Sequence, residues 1–206
     1  MGEANRKKRL VVGISGASGV MLAIELLKQM QTHPEWETHL VISTGACTTI
    51  PIETEYRKEE VEAMATIVHP LKDVGASISS GTFKTEGMVI VPCSMKTLAG
   101  VANGYSENLL LRAADVTLKE RRPLVLVARE SPLNRIHIRN MMSACEAGAI
   151  ILPPVVPYYH SPTSVREITM HIVGKILEIF DVPVAEFRRW GGKNLIASAQ
   201  GEQPAR

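Results

Sequence analysis

Five short apolar runs punctuate this chain, and each gap between them is long enough to hold a helix. The runs are Leu10–Ile14, Thr38–Ser43, Gly87–Pro92, Leu124–Ala128 and Ala149–Leu152. Helical periodicity fills the gaps: apolar residues fall at 20, 23, 26, 27 and 30 of Val20–Met30, and Met95–Ala102, Asn108–Arg121 and Pro132–Ala147 also read as helices. Ser164-Val-Arg-Glu167 has the form of a capping box and opens a long helix to about Phe180. Strands alternating with helices make a parallel sheet covered on both faces. The expected fold is therefore a single doubly wound α/β domain, Rossmann- or flavodoxin-like, with a mostly parallel sheet of five or six strands.

The remaining stretches join these elements. Thr44–Arg57 is expected to be helical but interrupted by Pro51, Glu59–Ala65 to be a short helix, and Ser77–Lys84 to be a loop. Pro153–Pro162 holds four of the twelve prolines, which makes it a stiff irregular segment. From Asp181 onward the chain is expected to lie over a neighbour or fray. With no internal repeat and no dividing linker, the expected organisation is a basic extension at 1–9, one domain at 10–191 and a tail at 192–206.

Composition removes several function classes. The 23 basic and 21 acidic residues leave a net charge of +2, and aromatic residues are only 4%, so neither a nucleic-acid face nor a base-stacking platform is expected. Cys47, Cys93 and Cys145 are odd in number and widely spaced, which points to a reducing compartment rather than a disulfide or zinc scaffold. No two histidines are spaced as a metal pair on a helix, so no metal site is expected. No apolar stretch reaches membrane-spanning length, residues 1–9 do not resemble a secretory signal, and position 6 is not Ser or Thr as a myristoyl signal needs. A soluble cytoplasmic protein is the expectation.

The chemistry-bearing residues cluster where apolar runs end. Gly13-Ile-Ser15-Gly16-Ala17-Ser18-Gly19 follows the first run and opens a helix, where glycines admit a phosphate and helix amides point at it. Its spacing differs from the Gly-x-Gly-x-x-Gly of dinucleotide binders, and the hydroxyls of Ser15 and Ser18 suit a mononucleotide. A tight turn with no ligand would use the same residues. Pro92-Cys93-Ser94-Met95-Lys96-Thr97 follows the third run, where Ser94 either caps a helix or donates to a ligand. Cys93 reads as a small buried residue with no base partner. Ser79–Thr82 is either a backbone cradle for a second phosphate or a solvated loop. Arg129-Glu130 ends the fourth run, where an Arg and a Glu delivered together can hold an oxyanion and move a proton; a structural salt bridge is the alternative. Glu53 by itself reads as surface charge, Tyr158-Tyr159-His160 as part of a surface loop, and Arg188-Arg189-Trp190-Gly191 as an interface anchor.

Taken together, Gly16-Ala-Ser-Gly19, Ile42-Ser43, Pro92-Cys-Ser-x-x-Thr97, Asn108-Leu-Leu-x-Arg-Ala-Ala-Asp115, Lys119-Glu-Arg-Arg-Pro-Leu-Val-Leu-Val-x-Arg-Glu130, Tyr159-His160 and Arg189-Trp-Gly191 resemble the UbiX family of flavin prenyltransferases over about Leu10–Gly191. The resemblance implies a metal-independent enzyme that binds reduced FMN and dimethylallyl phosphate, joins the prenyl group to N5 and C6 of the flavin, and supplies prenylated FMN to a UbiD-type decarboxylase. It implies FMN contacts at Gly16, Ala17, Ser18, Ser43, Ser94, Met95, Lys96, Thr97 and Arg129. It implies prenyl-phosphate contacts at Lys119, Tyr159, Lys175 and Arg112, and a reacting centre of Glu130, Ser18, Glu53 and Trp190. It further implies a homo-oligomer, a dodecamer, with sites built between subunits.

One position departs from the pattern: Lys175 stands where the family usually has Arg, keeping the charge but losing the bidentate fork. Two rival functions share the fold. FMN-dependent decarboxylases of cysteine-bearing substrates need a catalytic His, for which His69 is the only plausible residue here, and Lys96 occupies the neighbourhood where they carry Asn. A non-catalytic flavin carrier or accessory subunit would need the FMN contacts alone. An NAD-binding oxidoreductase fails on glycine spacing and on the lack of an acidic residue after the second strand.

Overall fold

The computed structural model describes residues 6–187 and 189. The elements among them run β1 (Lys8–Ile14), α1 (Val20–Gln31), β2 (Trp36–Ile42), α2 (Thr44–Glu53), α3 (Lys58–Glu62), β3 (Ile67–Val68), β4 (Gly87–Cys93), α4 (Met95–Ala102), α5 (Leu109–Lys119), β5 (Leu124–Ala128), α6 (Arg135–Glu146), β6 (Ile150–Ile151) and α7 (Val165–Glu178). The strands form one sheet in the order β3-β2-β1-β4-β5-β6, and every neighbouring pair is parallel. This is the Rossmann order, with its reversal between β1 and β4.

Alternate side chains of each central strand feed two cores, as the two-residue pleat requires. Leu10, Val12 and Ile14 of β1, with Val89, Val91, Val125 and Val127, pack against α1 and α7. Met88, Ile90, Leu124 and Leu126 face the other way, against α4 and α5. The apolar positions read in α1 (Val20, Ala23, Leu26, Leu27 and Met30) are all buried. The Glu25 carboxylate, though buried, is bonded by Lys28 at 2.9 Å and by Arg166 of α7 at 3.0 Å, which ties the two helices side by side. His33, just past α1, meets the Pro183 carbonyl at 3.0 Å, so α7 ends at the same edge as α1.

Several boundaries differ from the sequence expectation for local reasons. β1 begins at Lys8, because Lys8 and Arg9 pair with Trp36 and Glu37. Pro51 lies inside α2 without interrupting it; the helix ends at Thr54, whose N–H and hydroxyl both donate to the Ile50 carbonyl. Glu167 bonds the backbone N–H and hydroxyl of Thr163 rather than the N–H of Ser164, while Ser164 Oγ caps the helix by accepting from Glu167 N–H.

β3 has only two residues, both exposed, and is held at the edge through β2 and His69. His69 N–H donates to the Leu40 carbonyl, and its ring stacks on that of His39 at 5.2 Å with 2.9 Å between His69 Nε2 and His39 Nδ1. Phe83 closes over His39 edge-on. Burial, with the neighbouring His69 and Arg9, pushes the His39 pKa down to about 4 despite Glu37, so the folded chain holds the ring neutral.

A folded-state pKa below the ordinary 6.5 leaves stability intact above that value and removes it as pH falls toward 4. The full loss is on the order of 3 kcal/mol. The thermal midpoint should be level above neutrality and drop through this window, and His39→Phe should flatten the drop. Identical acid profiles for the two proteins would show that His39 contributes none of it.

Candidate functional site

Parallel pairing gathers the turns after β1, β2, β4 and β5 on one rim, and the reversal between β1 and β4 opens a crevice there. The cleft measures about 660 Å³ and is lined by Gly16, Ser43, Thr44, Gly45, Leu71, Lys72, Val74, Ser94, Lys96, Thr97, Glu107, Asn108, Leu110 and Leu111. Three helices start in its wall, α2, α4 and α5, the last capped by Asn108 Oδ1 accepting from Leu111 N–H at 3.1 Å. Ser43 caps α2 by accepting from Ala46 N–H at 3.2 Å, and Ser94 caps α4 by accepting from Thr97 N–H at 3.3 Å. The first-turn amides of such helices are not used within the helix and favour an anion.

Position 16 must be glycine for a packing reason. A Cβ there would sit 2.8 Å from the backbone of Gly45, so the β1–α1 turn touches the first turn of α2 directly. Gly19 then takes φ 108° to start α1. The N-terminus of α1 is already satisfied by a carboxylate: Glu53 Oε2 accepts from Gly19 N–H at 2.8 Å and from Val20 N–H at 3.1 Å. Burial works against the Glu53 charge, but hydrogen bonds from Ser18, Gly19 and Val20, with the positive Arg129, outweigh it and hold the carboxyl below its ordinary value. The first two amides of α1, at Gly19 and Val20, are thus taken by a carboxylate within the chain. The cleft wall presents the N-termini of α2, α4 and α5, and Glu53 is a cap rather than idle surface charge.

Ser15 is likewise engaged within the chain. Its side chain is buried, donating to the Pro92 carbonyl at 2.9 Å and accepting from Ser94 N–H at 2.7 Å. It clasps the β1 and β4 turns together and is spent on that task. Cys93 beside it has a thiol pushed up to about 12 by burial, which keeps it protonated and inert. Arg129 N–H donates to the Cys93 carbonyl, setting Arg129 and Glu130 on the rim with both side chains exposed. Glu130 Oε1 accepts from Ser131 N–H at 3.0 Å.

On this rim the fold brings together Gly16, Ala17, Ser18, Ser43, Glu53, Ser94, Met95, Lys96, Thr97, Arg129 and Glu130. Of the other predicted residues, Lys119 and Lys175 lie at the opposite rim. Lys119 ends α5 and pairs with Glu120, at the amino end of β5, whereas Arg129 follows its carboxyl end. Five strand residues separate the two by about 17 Å. Arg112 pairs with Asp115 on the same helix at 2.6 Å. Tyr159 meets His171 of α7, and Lys175, one turn on, pairs with Glu178 at 2.8 Å. Gly81 packs against Lys119 and Glu120 while Arg122 bonds the Gly81 and Phe83 carbonyls, so Ser79–Thr82 sits with Lys119 and away from the cleft. Trp190, Arg188 and Gly191 lie outside the described residues; Arg189 bonds Glu178 at 2.9 Å.

Sequence reasoning missed the cleft wall of Leu71, Lys72 and Val74. This segment follows a strand too short to carry a hydrophobic period. It also missed Gly45, whose role exists only opposite Gly16.

A family model described as Flavoprotein matches residues 1–181. A probable UbiX-like flavin prenyltransferase of Sedimentibacter hydroxybenzoicus is 53% identical over 184 residues, covering 89% of this chain and 97% of that protein. A UbiX crystal structure in complex with FMN and dimethylallyl pyrophosphate superposes with a TM-score of 0.89 at 47% identity, over 91% of this chain and 99% of that one. A dodecameric FMN-dependent UbiX-like decarboxylase from Escherichia coli O157:H7 superposes with a TM-score of 0.88 at 46% identity, over 89% of this chain and 100% of that one.

Ser15→Ala removes both side-chain bonds of the clasp, keeps the backbone bond from Ser15 N–H to the Pro92 carbonyl, and leaves the part-buried Ser94 N–H unpaired, a loss of about 1 kcal/mol. At about 2–4 °C per kcal/mol for a chain of this size, the thermal midpoint should fall by a few degrees. An unchanged midpoint would mean that the two turns are held by something else.

Proposed function

The chain belongs to the UbiX-type flavin prenyltransferases, and from that membership we propose how its residues divide the work of joining a dimethylallyl group to N5 and C6 of reduced FMN. The prenylated FMN so made would pass to a UbiD-type decarboxylase of aromatic or unsaturated acids. We place the reaction in the cytoplasm; no described helix is long and apolar enough to cross a membrane.

The observation that carries this reading is the cleft itself, with two serine-capped helix N-termini in its wall and an Arg-Glu pair on its rim. Its volume suits a single mononucleotide, and the contact between Gly16 and Gly45 leaves backbone rather than side chain facing its end. Ser43 and the Ser94, Met95, Lys96 and Thr97 turn would hold the anionic tail, with Gly16, Ala17, Ser18 and Arg129 along the rings. FMN, when bound in its reduced form, supplies the nucleophilic N5 and C6. Glu130, exposed on the rim, would accept the proton released as the new bonds form, directly or through Ser18. Glu53, held ionised by its own bonds, fixes Ser18 in place.

Lys119, Arg112, Tyr159 and Lys175 would hold the departing phosphate. Cations fixed where negative charge develops lower the barrier to its departure. Lys175 serves as a point charge rather than a fork, which suits a monophosphate with one exposed oxygen triad. Trp190 would wall off the allylic cation and favour it through its ring quadrupole. Since Lys119 and Lys175 lie at the far ends of α5 and α7, away from the cleft, we infer that they reach the flavin from neighbouring copies in a homo-oligomer. Exposed apolar residues support assembly: Ile136, Ile138 and Met142 on α6 and Leu133 just before it.

Two rivals lose ground on specific residues. The His69 ring needed for cysteine-type decarboxylation is engaged by His39 at the sheet edge. A bare flavin carrier has no use for the second set of cations.

Anaerobic incubation with reduced FMN and dimethylallyl monophosphate should raise the flavin mass by one prenyl unit; bound but unmodified flavin would point to the carrier. Glu130→Gln should keep FMN affinity and slow product formation by about 10²-fold, the usual scale of general-base loss. Unchanged turnover would remove Glu130 from the reaction. Co-assembling inactive Lys119→Ala and Arg129→Ala chains should restore about a quarter of the sites if each site draws these residues from two copies; no recovery would place both residues within one copy's site.

A further inference from the structure

We propose that His171 is a positioning residue for Tyr159: its Nε2–H donates to the phenol oxygen and turns the phenol's own hydrogen toward the oxygens of an alkyl phosphate ester. This role rests on the reading of Tyr159 and Lys175 as phosphate-ester contacts.

Tyr159 Oη lies 3.1 Å from His171 Nε2. His171 is only 6% exposed and stands one helical turn before Lys175, on the same face of α7. Its ring is gripped from two sides. His160 stacks on it with centroids 4.6 Å apart and planes 11° apart, and Phe187 leans on it at 5.1 Å. Phe187 reaches that position because residue 174 is glycine; a Cβ there would sit 2.4 Å from the Phe187 ring. Tyr159 meets both imidazoles edge-on, at 5.4 and 5.6 Å. The imidazole is therefore fixed in plane and in direction, with Nε2 aimed at the phenol.

The tautomer follows from hydrogen-bond accounting. Burial, then His160 and Lys175, hold the His171 pKa below its usual value against the opposing Glu178, so the ring is neutral and has one N–H. Nδ1 is buried and has no partner among the described residues. A proton on Nδ1 would leave a buried N–H unpaired, whereas a proton on Nε2 leaves only a lone pair unpaired, the smaller cost. Nε2 therefore donates, Tyr159 Oη accepts, and the phenol hydrogen points away from the ring. An O–H whose oxygen already accepts a hydrogen bond is a stronger donor. An ionised phosphate ester offers only acceptors, so it needs that hydrogen.

Calorimetric titration of the FMN-loaded oligomer with dimethylallyl monophosphate tests the assignment. His171→Leu should weaken binding and raise KM by about tenfold, the scale of one lost hydrogen bond to a charged group, with kcat and FMN affinity within about twofold. His171→Gln, which can donate an amide N–H from the same place, should recover most of the loss. In a Tyr159→Phe background, His171→Leu should add nothing. Ring nitrogen NMR should report the Nε2-protonated tautomer in wild-type protein. Equal weakening in the Tyr159→Phe background, no rescue by Gln, or an Nδ1-protonated ring would overturn the assignment while leaving the transferase reading intact. A wild-type protein that binds no dimethylallyl monophosphate would overturn both.

Discussion

Parallel pairing of all six strands is the constraint on which the rest depends. A parallel sheet forces each helix to carry the chain back across the sheet, so every strand-to-helix turn opens on one rim and every helix-to-strand end on the other. Residues that follow strands, from Gly16 to Glu130, gather on the first rim whatever their separation in sequence. Lys119 at the end of α5 and Lys175 in the last turn of α7 belong to the second. No adjustment of side chains within one copy can bring those lysines to Arg129, because about five strand residues stand between the rims. Under the proposed division of roles, a site that draws on both Arg129 and these lysines is a property of packed copies.

Within the first rim, rigidity comes from backbone contacts rather than from large side chains. The Ser15 clasp joins the β1 and β4 turns, the approach of Gly16 to Gly45 joins the β1 and β2 turns, and Arg129 N–H on the Cys93 carbonyl joins the β4 and β5 turns. Four strand ends are thus stitched into one surface before any ligand arrives. Glu53 extends the stitching from α2 to the first amides of α1, and its depressed pKa means the bond holds at any pH where the carboxylate is ionised. Such a preorganised wall spends little ordering free energy on binding.

Most of the fold was legible because it is written in period. The runs at Leu10–Ile14 and Leu124–Ala128 are unbroken and buried on both faces, and α1 shows its buried stripe residue by residue. β3 was not legible, since two exposed residues carry no pattern; it exists through pairing with β2 and the His39–His69 contact. The rim position of the residues proposed to meet the flavin was legible because they follow strand ends. The resemblance carried the rest of the site, since nothing in local pattern distinguishes Lys119 or Lys175 from ordinary surface lysines. The bonds of Ser15 and Glu53 were not legible for a related reason: the sequence shows which groups a turn presents, but not which partner 30 or 80 residues away has already engaged them.

The cations assigned to the phosphate share one further property. In a lone chain each is matched to a neighbouring acid: Arg112 to Asp115, Lys119 to Glu120, Lys175 to Glu178. These pairs are partly exposed, and such pairs contribute little, with a median of about 0–1 kcal/mol. A phosphate dianion brought among several of these cations by subunit packing can displace the carboxylates at small cost, since the acids regain water as they are released. The same pairing leaves the uncombined surface near electrical balance, in line with a net charge of +2.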